Sequence, residues 1–394
     1  MNNTYKKILL IALFYTPLVT AQVKEIDKSL TPLSMSAEAV YNDNFNPTTS
    51  QELSANGVVI KGEGHLVTMT EGNAFVIDYQ ASYQSMKVED SEFSFETNQN
   101  FFNFGAGFFG RFYLSDAWQL DTDLRQTNQE QKYGEGISRF RQDVLFNDKV
   151  QRSDGSVTLI YGRDTDTRFI SFNLGLHTDR FTDANEYARL FDLDQIKSEF
   201  NFAYRRNTNT SFLLRINASD DDYEDEQRLD SRGVRALLGV DWKPSGKSSL
   251  ELFLGMYWRN VQGGSKTNGL AWVFDYTGTP RQDWLVKLNS ARYSDVSDNA
   301  NSADSLKQNF DLELYYFYSQ QWRLGFKLAT SNVEFNKLEG PQDIDDTSGT
   351  LTISLMPNEH SSINLEWAFV DVSSSDDSVD YTQNEVRLRW QYAF

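Results

Sequence analysis

Residues 385–394 read EVRLRWQYAF. Val386, Leu388, Trp390, Tyr392 and Phe394 alternate with Glu385, Arg387, Arg389 and Gln391. Alternation at period two predicts a strand with one apolar and one polar face. A soluble sandwich rarely ends on a face this aromatic. A strand with lipid on one side and water on the other accounts for it, with Trp390, Tyr392 and Phe394 closing the lipid-facing row at an interface.

The start of the sequence, MNNTYKKILLIALFYTPLVTAQ, agrees with export. Lys6 and Lys7 form a positive leader, Ile8 to Val19 is too short to span a bilayer as a helix, and Val19-Thr20-Ala21 offers small residues for cleavage. Residues 1–21 are therefore expected to be a signal peptide, and residues 22–32 a short periplasmic segment. Residues 33–394 are expected to form one transmembrane domain. A segment as short as 22–32 is no plug, which disfavours an energised siderophore-type transporter.

Composition narrows the class further. Cysteine is absent, so disulfides and thiolate metal sites are excluded. Mean hydropathy is -0.54, and no later apolar run is long enough to cross as a helix. Aromatic residues nevertheless make up 14% of the chain. A transmembrane β-barrel reconciles the two, because only alternate residues must be apolar and aromatics girdle both interfaces. The net charge of -19 argues against nucleic acid as a partner.

Hairpins recur along residues 33–394. AFVIDYQASY (74–83), SFLLRINAS (211–219), RGVRALLGVDW (232–242) and SLELFLGMYW (249–258) all alternate. Short turns such as TEGN, NTNT, KPSGK and PNEH join strands in pairs. Longer acidic stretches, SDDDYEDEQRLD, SDVSDNANSADS and SSSDDSVDY, separate the pairs. This asymmetry predicts an all-β, antiparallel outer-membrane barrel of about eighteen strands, with periplasmic turns and long acidic external loops. Trp118, Trp242, Trp284 and Trp322 fall near the turn ends, as an interfacial girdle would. Residues 128–152 are expected to be one long external loop. Its Arg139, Phe140, Arg141 and Phe146 are candidates for a constriction folded into the pore.

Parity sends the opposite rows into the lumen. Arg205, Arg215, Arg235, Arg259 and Lys287 are candidate cargo contacts, as are Arg387 and Arg389 on the last strand. Tyr257, Tyr293 and Tyr315 are candidate stacking surfaces for sugars. Carboxylates such as Glu199, Asp241 and Glu251 share that face, so the plainer reading of most of these cations is a wall braced by cross-strand ion pairs. The histidines, His65, His177 and His360, have no defensible Ser and acid partners, so an enzyme is disfavoured and no cofactor is expected. Asp220 to Glu226 lacks the Gly-containing spacing of a calcium loop and reads as a solvated acidic loop.

At the end of the first strand stands Tyr41-Asn42-Asp43-Asn44-Phe45. An Asx-turn at a strand end would account for this stretch physically. It also resembles the opening signature of the porin-like family beta-barrel porin 2, and the length, leader, hairpin pattern and terminal Phe fit that resemblance. Members are often encoded with exopolysaccharide genes. The resemblance therefore implies a Gram-negative outer-membrane channel serving polysaccharide export. Its expected partners are outer-membrane lipid and lipopolysaccharide, polysaccharide with periplasmic export components, and the barrel-assembly machinery, whose signal the closing Trp390, Tyr392 and Phe394 resemble. An uptake porin, general or oligosaccharide-selective, and a structural or adhesive barrel without transport are the alternatives.

Overall fold

A computed structural model describes residues 33–45, 53–70, 72–88, 98–131, 137, 147–163, 166–182, 186–225, 227–263, 266–297, 299, 302–337, 342–375 and 379–394. The proposed signal peptide and residues 22–32 lie outside the described residues.

The described chain is an 18-stranded antiparallel sheet closed on itself. The first strands are β1 (Leu33–Asn42), β2 (Ala55–Thr70), β3 (Asn73–Val88), β4 (Asn98–Tyr113), β5 (Trp118–Gln131) and β6 (Asp148–Tyr161). Then follow β7 (Arg168–Phe181), a single helical turn α1 (Glu186–Arg189), β8 (Leu193–Asn207), β9 (Thr210–Tyr223), β10 (Ser231–Ser245), β11 (Ser248–Val261) and β12 (Lys266–Gly278). The last are β13 (Trp284–Val296), β14 (Ser302–Phe317), β15 (Trp322–Lys337), β16 (Gln342–Asn358), β17 (Ser361–Ser374) and β18 (Tyr381–Ala393). β1 pairs with both β2 and β18, which closes the barrel and leaves neither terminal strand as an edge.

The ladders keep the parity that the alternation requires, and their register shifts come only at strand ends, as between Trp242 and Ser245 or Leu355 and Asn358. Val386, Leu388 and Trp390 stand opposite Tyr41, Ala39 and Ala37 on one side, and opposite Trp367, Leu365 and Ile363 on the other. Tyr41, Ile363, Leu365, Trp367, Val386, Leu388 and Trp390 are all exposed on the outer face. Water would not tolerate such a band, and lipid does. Trp118, Trp242 and Trp322 sit exposed at the turn end, and Trp118 and Trp284 pack on Tyr161 and Tyr316 at 5.0 Å between centroids. A closed barrel with this outer face belongs in the outer membrane of a Gram-negative cell.

The turns at this end are as short as residues 208–209, 246–247 and 359–360. Gly72 and Gly162 hold φ of 85° and 87° there, a left-handed geometry that side chains resist.

At the opposite end the strands outrun their expected limits. Residues 128–152 are not one loop: β5 and β6 stay paired from Asn128 with Gln151 to Gln131 with Asp148, leaving 132–147 as the connection. The strands hid here because TNQEQ and QRSD are polar on both faces once they rise above the lipid. For the same reason Asp220, Asp221 and Asp222 belong to β9 and reduce the acidic connection to residues 224–230.

Candidate functional site

The lumen is divided. On one side the wall from β18 through β1 to β5 fronts a cavity of about 510 Å³. Ser34, Ser36, Gln80, Ser82, Gln84, Asn103, Thr127 and Gln391 line it, with Glu38, Lys61, Glu63, Arg387 and Arg389 among them. The amides and hydroxyls are there because each lumen-facing row of these strands is polar wherever its lipid-facing row is apolar.

Charge on this wall is matched pair by pair. Arg389 Nε donates to Glu38 Oε1 at 2.6 Å, and Arg387 lies 4.0 Å from the other Glu38 oxygen while donating to Glu385. Lys61 meets Glu63 at 2.7 Å. Farther round, Arg125 meets Asp78 at 2.9 Å, Arg111 holds Asp121 with two hydrogen bonds, and Arg152 holds Asp179 with two. His177 Nδ1 lies 2.8 Å from Asp154, within the same belt. Such pairs hold a polar wall rigid.

The opposite side is filled. Leu237, Phe253, Tyr257, Ala271 and Leu306 are buried against one another. Above them Arg259, only 3% exposed, bonds the fully buried Asp221 at 2.7 Å, and Gln195, Ser219 and Ser231 also donate to that carboxylate.

The expected contact residues therefore separate. Arg387 and Arg389 front the cavity. Arg259 and Tyr257 are buried in the filled half. Arg215 bonds Asn201 at 3.1 Å, approaches Glu251 at 3.5 Å and covers the Phe253 ring. Arg235 bonds Asn217 at 3.2 Å and lies over Tyr293. Lys287 pairs with Glu313 at 3.1 Å beside Tyr315, whose hydroxyl donates to the same Glu313. Arg205, half-buried, stands opposite Ser211 near the 208–209 turn. Glu38, Lys61 and Glu63 went unread in the sequence, although extending the lumen parity to β1 and β2 reaches them.

A knot of external connections sits over the filled half. The Arg228 guanidinium donates to the carbonyls of Ser297 and Asn299 at 2.7 Å each, to Ser302 O at 3.2 Å and to Tyr223 Oη at 3.0 Å. It also covers the Phe191 and Tyr223 rings. Ile137, from the 132–147 connection, packs with Ala188 and Phe191. Arg139, Phe140, Arg141 and Phe146 lie outside the described residues. Nearby, burial pushes the Asp192 carboxyl up, against the hydrogen bond donated by the Phe181 amide.

OccK7 (OpdD) of Pseudomonas aeruginosa superposes with a TM-score of 0.54 at 12% identity, covering 94% of this chain and 99% of that one. The fold is that of the outer-membrane porins. A BenF-like porin from Pseudomonas fluorescens Pf-5 superposes with a TM-score of 0.52 at 10% identity, over 93% of this chain and 99% of that one. OccK2 (OpdF) of Pseudomonas aeruginosa gives 0.50 at 10% identity, over 93% and 100%. No family model matches the sequence, and no curated protein matches it.

The Tyr41 to Phe45 stretch has a structural task. Asp43 accepts from the backbone and side-chain amides of Asn384 at 2.6 and 2.9 Å, and Asn44 donates to Thr382 O at 2.9 Å. Phe45 is fully buried with Leu53, Met86 and Phe101. The motif thus pins the external end of β1 to β18, where the sheet must close.

Proposed function

We propose that the barrel is a passive channel for hydrogen-bonding, saccharide-like solutes, and that in the cell it serves export of a surface polysaccharide. The observation that carries the solute class is the β18–β1–β5 wall. Its cavity presents hydroxyls and amides in number and keeps its charges paired. Sugars exchange water for such groups at little net gain or loss, which suits passage rather than capture. Arg387 and Arg389 are the proposed contacts for an acidic sugar, because they border the cavity and charge-assisted bonds there are moderated by salt.

The export role rests on the resemblance of residues 41–45 to beta-barrel porin 2. Uptake fits the porin neighbours equally well, since a passive pore has no direction of its own. Two measurements separate the readings. Planar-bilayer conductance with added oligosaccharides tests the channel, with current block by neutral and acidic sugars expected. Deletion of the gene tests the direction: a fall in secreted polysaccharide supports export, and slowed growth on an oligosaccharide with normal secretion supports uptake.

A further inference from the structure

The wall is not continuous at its external end. β12 and β13 pair only from Trp272 with Arg292 to Gly278 with Val286. Above Trp272, β12 keeps its β11 partners as far as Lys266 with Asn260, while β13 keeps its β14 partners as far as Val296 with Asp304. The two strands part company at mid-height.

β13 and β14 turn inward there and pass behind β10 to β12. Phe310 and Leu306 share the lipid-facing parity of β14, yet Phe310 is 40% exposed and Leu306 is 8% exposed. Leu306 packs instead on Leu237, Phe253, Tyr257 and Ala271, which line the inner face of β10 to β12. Two hydrogen bonds cross the same interface. Arg259 Nε donates to Ser294 Oγ at 3.1 Å, and Thr267 Oγ1 donates to Asp304 Oδ2 at 2.8 Å. In both, a lumen-facing side chain meets the face of β13 or β14 that elsewhere points to lipid. The external half is therefore a rolled sheet with overlapping margins, and the inner margin is what fills half the lumen.

Among the described residues, this arrangement leaves the outer margin of β12, residues 266–271, without a ladder partner on its β13 side. An open margin in a membrane barrel is costly, because backbone N–H and C=O groups have no water to turn to in lipid. The register already set by Trp272 with Arg292 would, if continued, place Leu270 opposite Ser294 and Asn268 opposite Val296. Unrolling would supply the missing ladder bonds while surrendering the Leu306 packing, the two side-chain bonds and the Arg228 bonds to the Ser297, Asn299 and Ser302 carbonyls. Gains and losses of similar kind on the two sides are what a two-state element requires.

We propose that the overlap is an adjustable rim: β13 and β14 slide outward, zip onto β12 above Trp272, and widen the external half of the pore for a bulky polymer. The proposal rests on the channel reading for its purpose, though not for its geometry. The chain contains no cysteine, so paired cysteines report without background. The pair Leu270→Cys with Ser294→Cys faces across the zipped register only. The pair Thr267→Cys with Asp304→Cys bridges the overlap, and Ala271→Cys with Leu306→Cys bridges it at a second level should the first pair impair assembly.

Mild oxidation of assembled barrels in outer membranes should cross-link the 270/294 pair, seen as a gel-mobility shift reversed by reductant, and should raise single-channel conductance. Oxidation of an overlap pair should abolish the larger conductance level and the passage of long oligosaccharides, with recovery on reduction. Absence of the 270/294 cross-link in assembled barrels overturns the proposal, and so does an unchanged conductance in a fully cross-linked overlap pair. Absence of conductance in wild type and every variant overturns the channel reading instead, and leaves the 270/294 cross-link to decide whether the rim moves.

Discussion

Arg389 and Glu38 meet at 2.6 Å across the junction of the last and first strands, with Glu38 almost buried and Arg387 on its other oxygen. One carboxylate thus joins two cations at the place where the sheet closes. Glu38→Ala should destabilise the barrel by about 1–3 kcal/mol, less than a fully buried pair because the guanidiniums are about a third exposed. The measurement is the temperature at which the folded band disappears on an SDS gel. Glu38→Gln, which keeps the hydrogen bond from Arg389 without the charge, should lose less.

Arg387 and Arg389 differ from Arg259 in what surrounds them, so their substitutions should fail differently. The double change Arg387→Gln with Arg389→Gln leaves Glu385 and the cavity-lining Glu38 without their cations. Reversal potentials in a salt gradient should move toward cation selectivity while the barrel still assembles.

Arg259→Gln leaves the buried Asp221 carboxylate without its cation, on neutral donors alone. The expected cost is about 3–5 kcal/mol, read as a lower unfolding temperature. Ion selectivity should change little, because Arg259 does not border the cavity.

Arg228 holds the external connections by donating to three backbone carbonyls and one phenol. Arg228→Ala should loosen that cluster by about 2–4 kcal/mol and make residues 182–192 and 224–230 sensitive to added protease on intact cells. Arg228→Lys should rescue little, since one ammonium cannot span the fork of acceptors.

Phe394 donates its backbone N–H to Leu33 O at 2.9 Å and packs its ring on Tyr392. The single hydrogen bond is a small part of a barrel's stability, so removing Phe394 tests its proposed role as an assembly signal. Truncation should lower the amount of barrel inserted in the outer membrane. Once purified, the truncated barrel should unfold within a few degrees of wild type.

Period-two alternation with lipid outside and water inside was enough to read the strand count, the turn end and the outer face. β1 and β18 stand where LSMSAEAVY and the last fourteen residues placed them, because there a one-residue slip would turn every apolar side chain inward. That same signal fades above the membrane, where both faces of a strand are wet. Residues 128–131, 148–152 and 220–223 are strands without alternation, and pairing with their neighbours decided them. Lumen parity likewise assigned Arg215, Arg235, Arg259, Arg387 and Arg389 to one face, but could not say which would border water. Only the closed sheet, with β13 and β14 tucked behind β10 to β12, buried Arg259 and left Arg387 and Arg389 beside the cavity. Alternation is local and binary, whereas burial inside a barrel depends on which distant strand crosses the lumen.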